Sequence, residues 1–126
     1  MAPRLFIRTL GPLLLAMGLA MLTGCAGNPS TGRALHHDMV EQGAVYDDPA
    51  LQAYVSRVGQ RLVASSGETG TAFTFTVIDS PDINAFATPG GYIYINRGLL
   101  AYLESEAELA GVLAHDIGHI TAAHHN

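Results

Sequence analysis

Two stretches decide the fold. The first is Asn84-Ala85-Phe86-Ala87-Thr88-Pro89-Gly90-Gly91-Tyr92-Ile93-Tyr94-Ile95-Asn96; the second is Glu108-Leu109-Ala110-Gly111-Val112-Leu113-Ala114-His115-Asp116-Ile117-Gly118-His119. In the first, Thr88-Pro89-Gly90-Gly91 is a strong turn signal. Tyr92 to Ile95 alternates aromatic and β-branched residues, the pattern of a strand, and Ile83 to Ala87 is a second short strand candidate before the turn. The pair predicts a hairpin. The second stretch follows Ser105-Glu106-Ala107-Glu108, which fits the S-x-x-E capping box, so a helix should start with Ser105 as its N-cap.

Working outward, Phe73, Phe75 and Val77 alternate with Thr74, Thr76 and Ile78, a further strand. Asp48-Pro49 is a helix start, with Asp48 at the N-cap and Pro49 in the first helical position. Behind it Leu51, Tyr54, Val55, Val58, Leu62 and Val63 recur at helical spacing, until Gly67 to Gly70 break the pattern. Leu35 to Tyr46 is read as a short helix, and Asn28 to Arg33 as turn or linker. The expected class is α+β: a small sheet packed on helices. Its tyrosines are assigned to packing. Gly90-Gly91 is not read as a phosphate loop, because no Lys or helix start follows in the right place.

Four of the six histidines lie at positions 115, 119, 124 and 125. At ~100° per residue His115 and His119 fall about 40° apart on one helix face. Two imidazoles one turn apart can converge on one metal ion. Leu109, Leu113, Ile117 and Ile120 gather on a different face and should dock on the sheet, while Gly111 and Gly118 flank the histidines and leave room. Zinc hydrolases with this spacing read H-E-x-x-H, the Glu serving as general base. Here the carboxylate is Asp116, one methylene shorter. Against this stands the plainer reading that His115 and His119 are ordinary surface or core histidines. His-Asp phosphohydrolases are disfavoured: their motif is not a His pair one turn apart. His125 has the metzincin spacing but Ala122 stands where that motif needs Gly, so His124 and His125 read as solvated helix-end residues near the negative end of the dipole.

The 126 residues allow one domain. Six Lys+Arg against 11 Asp+Glu, a net charge of −5, argue against a sequence-independent nucleic-acid binder. The single cysteine excludes an intrachain disulfide framework and a Cys-rich zinc ribbon. Arg4 and Arg8 precede an apolar run, Leu10 to Leu22, broken by Gly11, Pro12 and Gly18. That is a signal-peptide pattern, too short and too interrupted for a span of ~20 residues. The run ends in Leu22-Thr23-Gly24-Cys25, which resembles the bacterial lipobox. On that resemblance residues 1–24 are a leader, Cys25 is lipidated, 25–34 form a tether and 35–126 the folded part. With Ala26 rather than Asp after the cysteine, the resemblance favours the periplasmic face of the outer membrane.

The run from Asn84 through Arg97-Gly98-Leu99-Leu100, followed in order by Glu108 to His115, closely resembles peptidase family M48, the gluzincins of the HtpX, Oma and CAAX prenyl endopeptidase types, and most nearly its periplasmic lipoprotein branch. The resemblance covers Asn28 to His124. It implies the N-terminal part of a gluzincin-like metallopeptidase domain binding Zn2+ through His115 and His119, with Asp116 at the place of the catalytic base. The implied activity is hydrolysis of misfolded or misassembled envelope proteins by a zinc-bound water. It implies protein or peptide substrates, possible contact with the outer-membrane assembly machinery, and an edge strand at Asn84, Ala85 and Phe86 pairing with extended substrate. The chain departs from the pattern in three places. Asp116 replaces Glu, Ala123 stands where relatives often have Arg, and the family's third ligand, a Glu on a later helix, falls beyond Asn126. Those departures keep a second function open: a catalytically weak or inactive lipoprotein acting as a binding or chaperone module in outer-membrane assembly.

A labelled lipid precursor fed to cells making the protein should be incorporated into the wild type and not into Cys25→Ala. Equal labelling of the two would refute the anchor.

Overall fold

The computed structural model describes residues 28–124. The leader, Cys25 and His125 lie outside the described residues, as does the side chain of His124. The four helices and three strands among the described residues were not equally legible, and the first helix is a correction. Asn28 to Arg33, expected as turn or linker, opens helix α1, Pro29–Glu41. The Asn28 side chain accepts a hydrogen bond from the Ser30 amide at 3.1 Å, and Pro29 follows at the first helical position. The residues that suggested a turn are those of a helix N-cap.

Helix α2, Pro49–Ser66, begins as expected: Asp48 Oδ1 accepts from the Leu51 amide at 3.0 Å. It ends at Gly67, whose φ of 77° is the left-handed C-cap conformation that glycine adopts without strain. The strands are β1, Thr74–Ile78, β2, Ala85–Thr88, and β3, Tyr92–Asn96. β3 is central: β1 pairs with it in parallel and β2 antiparallel. The expected hairpin is present, with Thr88 opposite Tyr92 and Gly90 and Gly91 at φ 93° and 84° in its loop. A side chain at Gly91 would also collide with the Ala72 carbonyl, so this turn is closed to other residues on two counts.

β2 starts two residues later than the alternation suggested. Ile83 is 61% exposed, and the strand begins only at Ala85, opposite Ile95. Between β3 and the last helix lies α3, Arg97–Tyr102, and α4 then runs Glu106–His124. The sequence pattern alone did not reveal α3. Gly98 lowers its helical signal, yet only a glycine passes the Pro81 carbonyl there.

α2 and α4 cover one sheet face. The core joins Val55 and Val58 of α2, Phe73, Phe75 and Val77 of β1 and its approach, Ile93 and Ile95 of β3, and Leu109, Leu113, Ile117 and Ile120 of α4. The opposite sheet face carries Tyr94, fully buried, whose hydroxyl lies 2.9 Å from His36 Nδ1 of α1. His36 also stacks on Tyr92 with ring centroids 4.8 Å apart. These tyrosines are packing residues, as expected.

The two sheet edges differ. Along β1, Val77 turns its amide and carbonyl away from β3, and Gln52 of α2 meets both: Oε1 accepts from the Val77 amide at 2.8 Å and Nε2 donates to the Val77 carbonyl at 3.0 Å. The Tyr46 amide adds a bond to the same carbonyl at 3.0 Å, and Gln60 Nε2 donates to Phe73 O at 2.8 Å. Gln52→Leu would leave the buried Val77 amide unpaired. Urea unfolding should show a loss of about 1–3 kcal/mol; a change within ±0.5 kcal/mol, typical of surface substitutions, would contradict this role for the glutamine.

Candidate metal centre

The position of the histidines follows from how α4 is started and which face it buries. Ser105 Oγ accepts from the Glu108 amide at 3.2 Å, the expected cap. The Glu108 carboxylate reaches back one residue further than the capping box requires, accepting from the Glu104 amide at 3.0 Å. Glu106 and Glu108 add negative charge to the first turn, complementing the dipole. Tyr54 of α2 donates its hydroxyl to Glu106 Oε1 at 2.9 Å, which fastens this end of α4 to α2. That bond raises the Tyr54 phenol above its ordinary range, because ionisation would set it against the carboxylate.

With Leu113 wholly buried and Leu109, Ile117 and Ile120 beside it, His115 and His119 are turned outward. Both are exposed, and their rings sit edge to face with centroids 4.5 Å apart. The side chains expected to converge are thus together, on the wet side of the helix. A Cβ at Gly111 or Gly118 would meet nothing within 4 Å, the open space expected beside the histidines.

Asp116 lies at the border between the two faces. Its side chain is 12% exposed against 73% for His115, and its Oδ1 is 3.9 Å from His115 Nδ1. Its Oδ2 is buried without a hydrogen-bond partner. Burial pushes the carboxyl above the ordinary aspartate range, while His115, then His119, pull it back in part. A buried carboxylate with a free oxygen beside two imidazoles is the chemistry of an acceptor awaiting a proton or a cation.

His115 and Asp116 line an open cleft of about 620 Å³ together with Asn84 and Ala85. The structure therefore brings the two expected ends of the site together. Phe86 is the exception: its ring stacks on Tyr94, centroids 4.9 Å apart, on the sheet face away from α4. Leu99, Leu103 and Val112 also line the cleft. Sequence reading did not place them there, since Leu99 lies in the unread α3 and Leu103 caps its end.

A catalytic zinc site takes three protein ligands and keeps one position open. His115 and His119 fit as two of these by donor type, spacing and exposure. Among the described residues no group of three or more His, Cys, Asp or Glu gathers at one point, so the set is not completed there.

The sequence profile of peptidase family M48 matches residues 49–126. The chain belongs to that family. A provisionally named beta-barrel assembly-enhancing protease of Vibrio cholerae is 48% identical over 80 residues, 64% of this chain and 16% of its own length. The beta-barrel assembly-enhancing protease of Escherichia coli is 40% identical over 78 residues, 62% of this chain and 16% of the relative. The mitochondrial metalloendopeptidase OMA1 of Schizosaccharomyces pombe is 42% identical over 71 residues, 56% of this chain and 21% of the relative. The chain thus spans about a sixth of the length of the bacterial M48 relatives it matches. Its α+β architecture, with three strands and the helix that carries His115 and His119, is that of the N-terminal part of an M48 peptidase, as the resemblance implied.

If the imidazoles act as a pair, zinc affinity should fall at least about ten-fold in His115→Ala and in His119→Ala alike, since even a residue supporting a ligand is worth that much. Competition with a chelating dye measures it. Unchanged affinity in either variant would remove that histidine from the site.

Proposed function

We propose that the chain carries the zinc-binding helix and substrate edge of a metalloendopeptidase of the bacterial envelope, acting on misfolded or misassembled proteins. The observation that carries this reading is the pairing of His115 and His119 on the exposed face of α4, beside a cleft that also holds Asp116 and the start of β2. Membership of the M48 family supports a metal cofactor and peptide-bond hydrolysis. The names of the bacterial relatives support a place of action near outer-membrane protein assembly.

In this reading His115 and His119 hold the metal, and Asp116 holds or moves the proton. When bound, a zinc ion supplies Lewis-acid polarisation of the scissile carbonyl and eases deprotonation of water. Burial makes the Asp116 carboxylate a stronger base than a solvated aspartate, and its Oδ2 has no hydrogen-bond partner to hold its lone pairs. The backbone of β2 binds the substrate. The Asn96 amide donates to Asn84 O at 3.0 Å, which marks 84 and 96 as a hydrogen-bonded pair. Alternation along an antiparallel ladder then turns the amides and carbonyls of Ala85 and Ala87 outward, where an extended peptide can pair with them. Cys25, as the lipid-bearing residue, would keep the site near the outer membrane.

The experiment is casein cleavage by the full-length protein loaded with zinc. His115→Ala should abolish cleavage. Asp116→Glu should raise the rate, by up to about 10²-fold if the shorter side chain misplaces the base by an ångström. Cleavage by neither the wild type nor Asp116→Glu would refute the peptidase reading in favour of the binding-module alternative.

A further inference from the structure

By composition β2 is a weakly held strand. It is four residues long and hydrogen-bonds to one neighbouring strand, β3. Alternation sends Ala85 and Ala87 to the core side, where each contributes a single methyl group. On the other side Phe86 is its one large side chain. That ring stacks on Tyr94, its partner in the strand register, with centroids 4.9 Å apart and 25° between the planes. The order of β2 therefore depends on what keeps Tyr94 in place.

His36 of α1 meets that need. Its Nδ1 lies 2.9 Å from the Tyr94 hydroxyl. Tyr94 is fully buried, and burial holds its phenol above the ordinary tyrosine range. The hydroxyl keeps its proton and requires a hydrogen-bond partner. The imidazole also stacks on Tyr92, with centroids 4.8 Å apart, and lies 5.9 Å from the Tyr94 ring at a tilt of 34°. Tyr92 and Tyr94 stand opposite Thr88 and Phe86 in β2. One imidazole thus spans both tyrosines, and the rings of His36, Tyr94 and Phe86 run from α1 to the edge strand. One turn earlier on the same helix face, Gly32 lies so close to the Pro89 carbonyl that any Cβ would collide with it. α1 grips the hairpin at its turn and at its rings.

We propose that His36 is a positioning residue for the β2 edge, acting through Tyr94 and Phe86 to hold the backbone of Ala85 and Ala87 in the geometry with which an extended peptide pairs. The proposal rests on the reading of β2 as a substrate edge for its purpose, and on the ring contacts for its physics. A strand edge that is not ordered in advance must be ordered by the incoming peptide, and that cost is subtracted from affinity. His36 lies on the sheet face away from α4, so it acts on the edge and leaves the histidine pair untouched.

Binding separates this role from one in overall stability, at a temperature where circular dichroism shows every variant folded. Fluorescence anisotropy of a labelled octapeptide of alternating Val and Thr, with the full-length protein in a metal chelator, reads the edge alone. His36→Ala, which removes the ring, should weaken binding about five-fold, the fold-change for one aromatic pair and one hydrogen bond at the low end of their range. His36→Phe keeps a ring but strands the buried Tyr94 hydroxyl, and should weaken binding as well. Adding Tyr94→Phe to His36→Phe removes the stranded group and should restore affinity to within about two-fold of the wild type. Zinc affinity, by competition with a chelating dye, should stay unchanged in all three. In casein cleavage the two single variants should raise KM and leave kcat unchanged. Equal peptide affinity in wild type and His36→Ala, a double variant that binds no tighter than His36→Phe, a loss of zinc affinity in His36→Ala, or a fall in kcat at constant KM would overturn the proposal. So would a wild type that binds no peptide. Peptide binding that responds to His36 in a protein that never cleaves casein would sink the peptidase reading and leave the role of His36 standing.

Discussion

The burial of Leu113 and its neighbours fixes almost everything else in this molecule. An α-helix that commits Leu109, Leu113, Ile117 and Ile120 to the core has no rotational freedom left. At ~100° per residue the remaining positions are then assigned: His115 and His119 to solvent, Asp116 to the boundary. The cost of rotating α4 enough to bury a histidine would be the exposure of aliphatic side chains worth roughly 1.5–3 kcal/mol each. The geometry of the His pair is thus set by groups that never touch a ligand. The bonds at the front of the helix, Tyr54 to Glu106 and Glu108 to the Glu104 amide, hold its start against α2 and the preceding loop.

A second constraint is the asymmetry of the sheet. Three strands have two edges, and an unpaired edge invites any extended chain. On β1 that invitation is withdrawn by two glutamines of α2 and by the segment at Tyr46, which together pair Phe73 O and both groups of Val77. β2 has no such cover among the described residues. It is four residues long, and a short edge limits indiscriminate pairing.

What the sequence made legible was whatever local chemistry decides. Asp48-Pro49, Ser105 with Glu108, and Pro89-Gly90-Gly91 each carry their own start or turn signal, and each was read where it stands. The alternation around Phe75 and Tyr94 likewise revealed strands, though not that β1 runs parallel to β3, since parallel pairing is decided by the path of the chain between them. Asn28-Pro29 failed for the opposite reason: one dipeptide serves turns and helix N-caps equally well, and the choice was made by α1 docking through His36 onto Tyr92 and Tyr94. The site divided in the same way. The His pair and Asp116 share one helix, so periodicity placed them. Leu99, Leu103 and Ile83 join the cleft only through tertiary contact, and α3 was hidden by a glycine that the Pro81 carbonyl demands.

Asp116 brings the two constraints into conflict. Its backbone position is dictated by the buried face, and from there a side chain must extend outward to act beside the imidazoles. The aspartate stops short: its side chain is 12% exposed and one oxygen ends in a buried position with no partner. A carboxylate left in that state costs stability, on the order of 1–3 kcal/mol for an unsatisfied buried group and more for a charged one. Packing gives no reason to retain it, because an apolar residue of similar size at the border of this face would be cheaper. A carboxyl group placed there has the chemistry to meet a proton or a cation. A glutamate at the same backbone position would carry the carboxylate one methylene further toward the cleft, so under the proposed peptidase reading the single substitution decides whether the carboxylate reaches past the core that positions it.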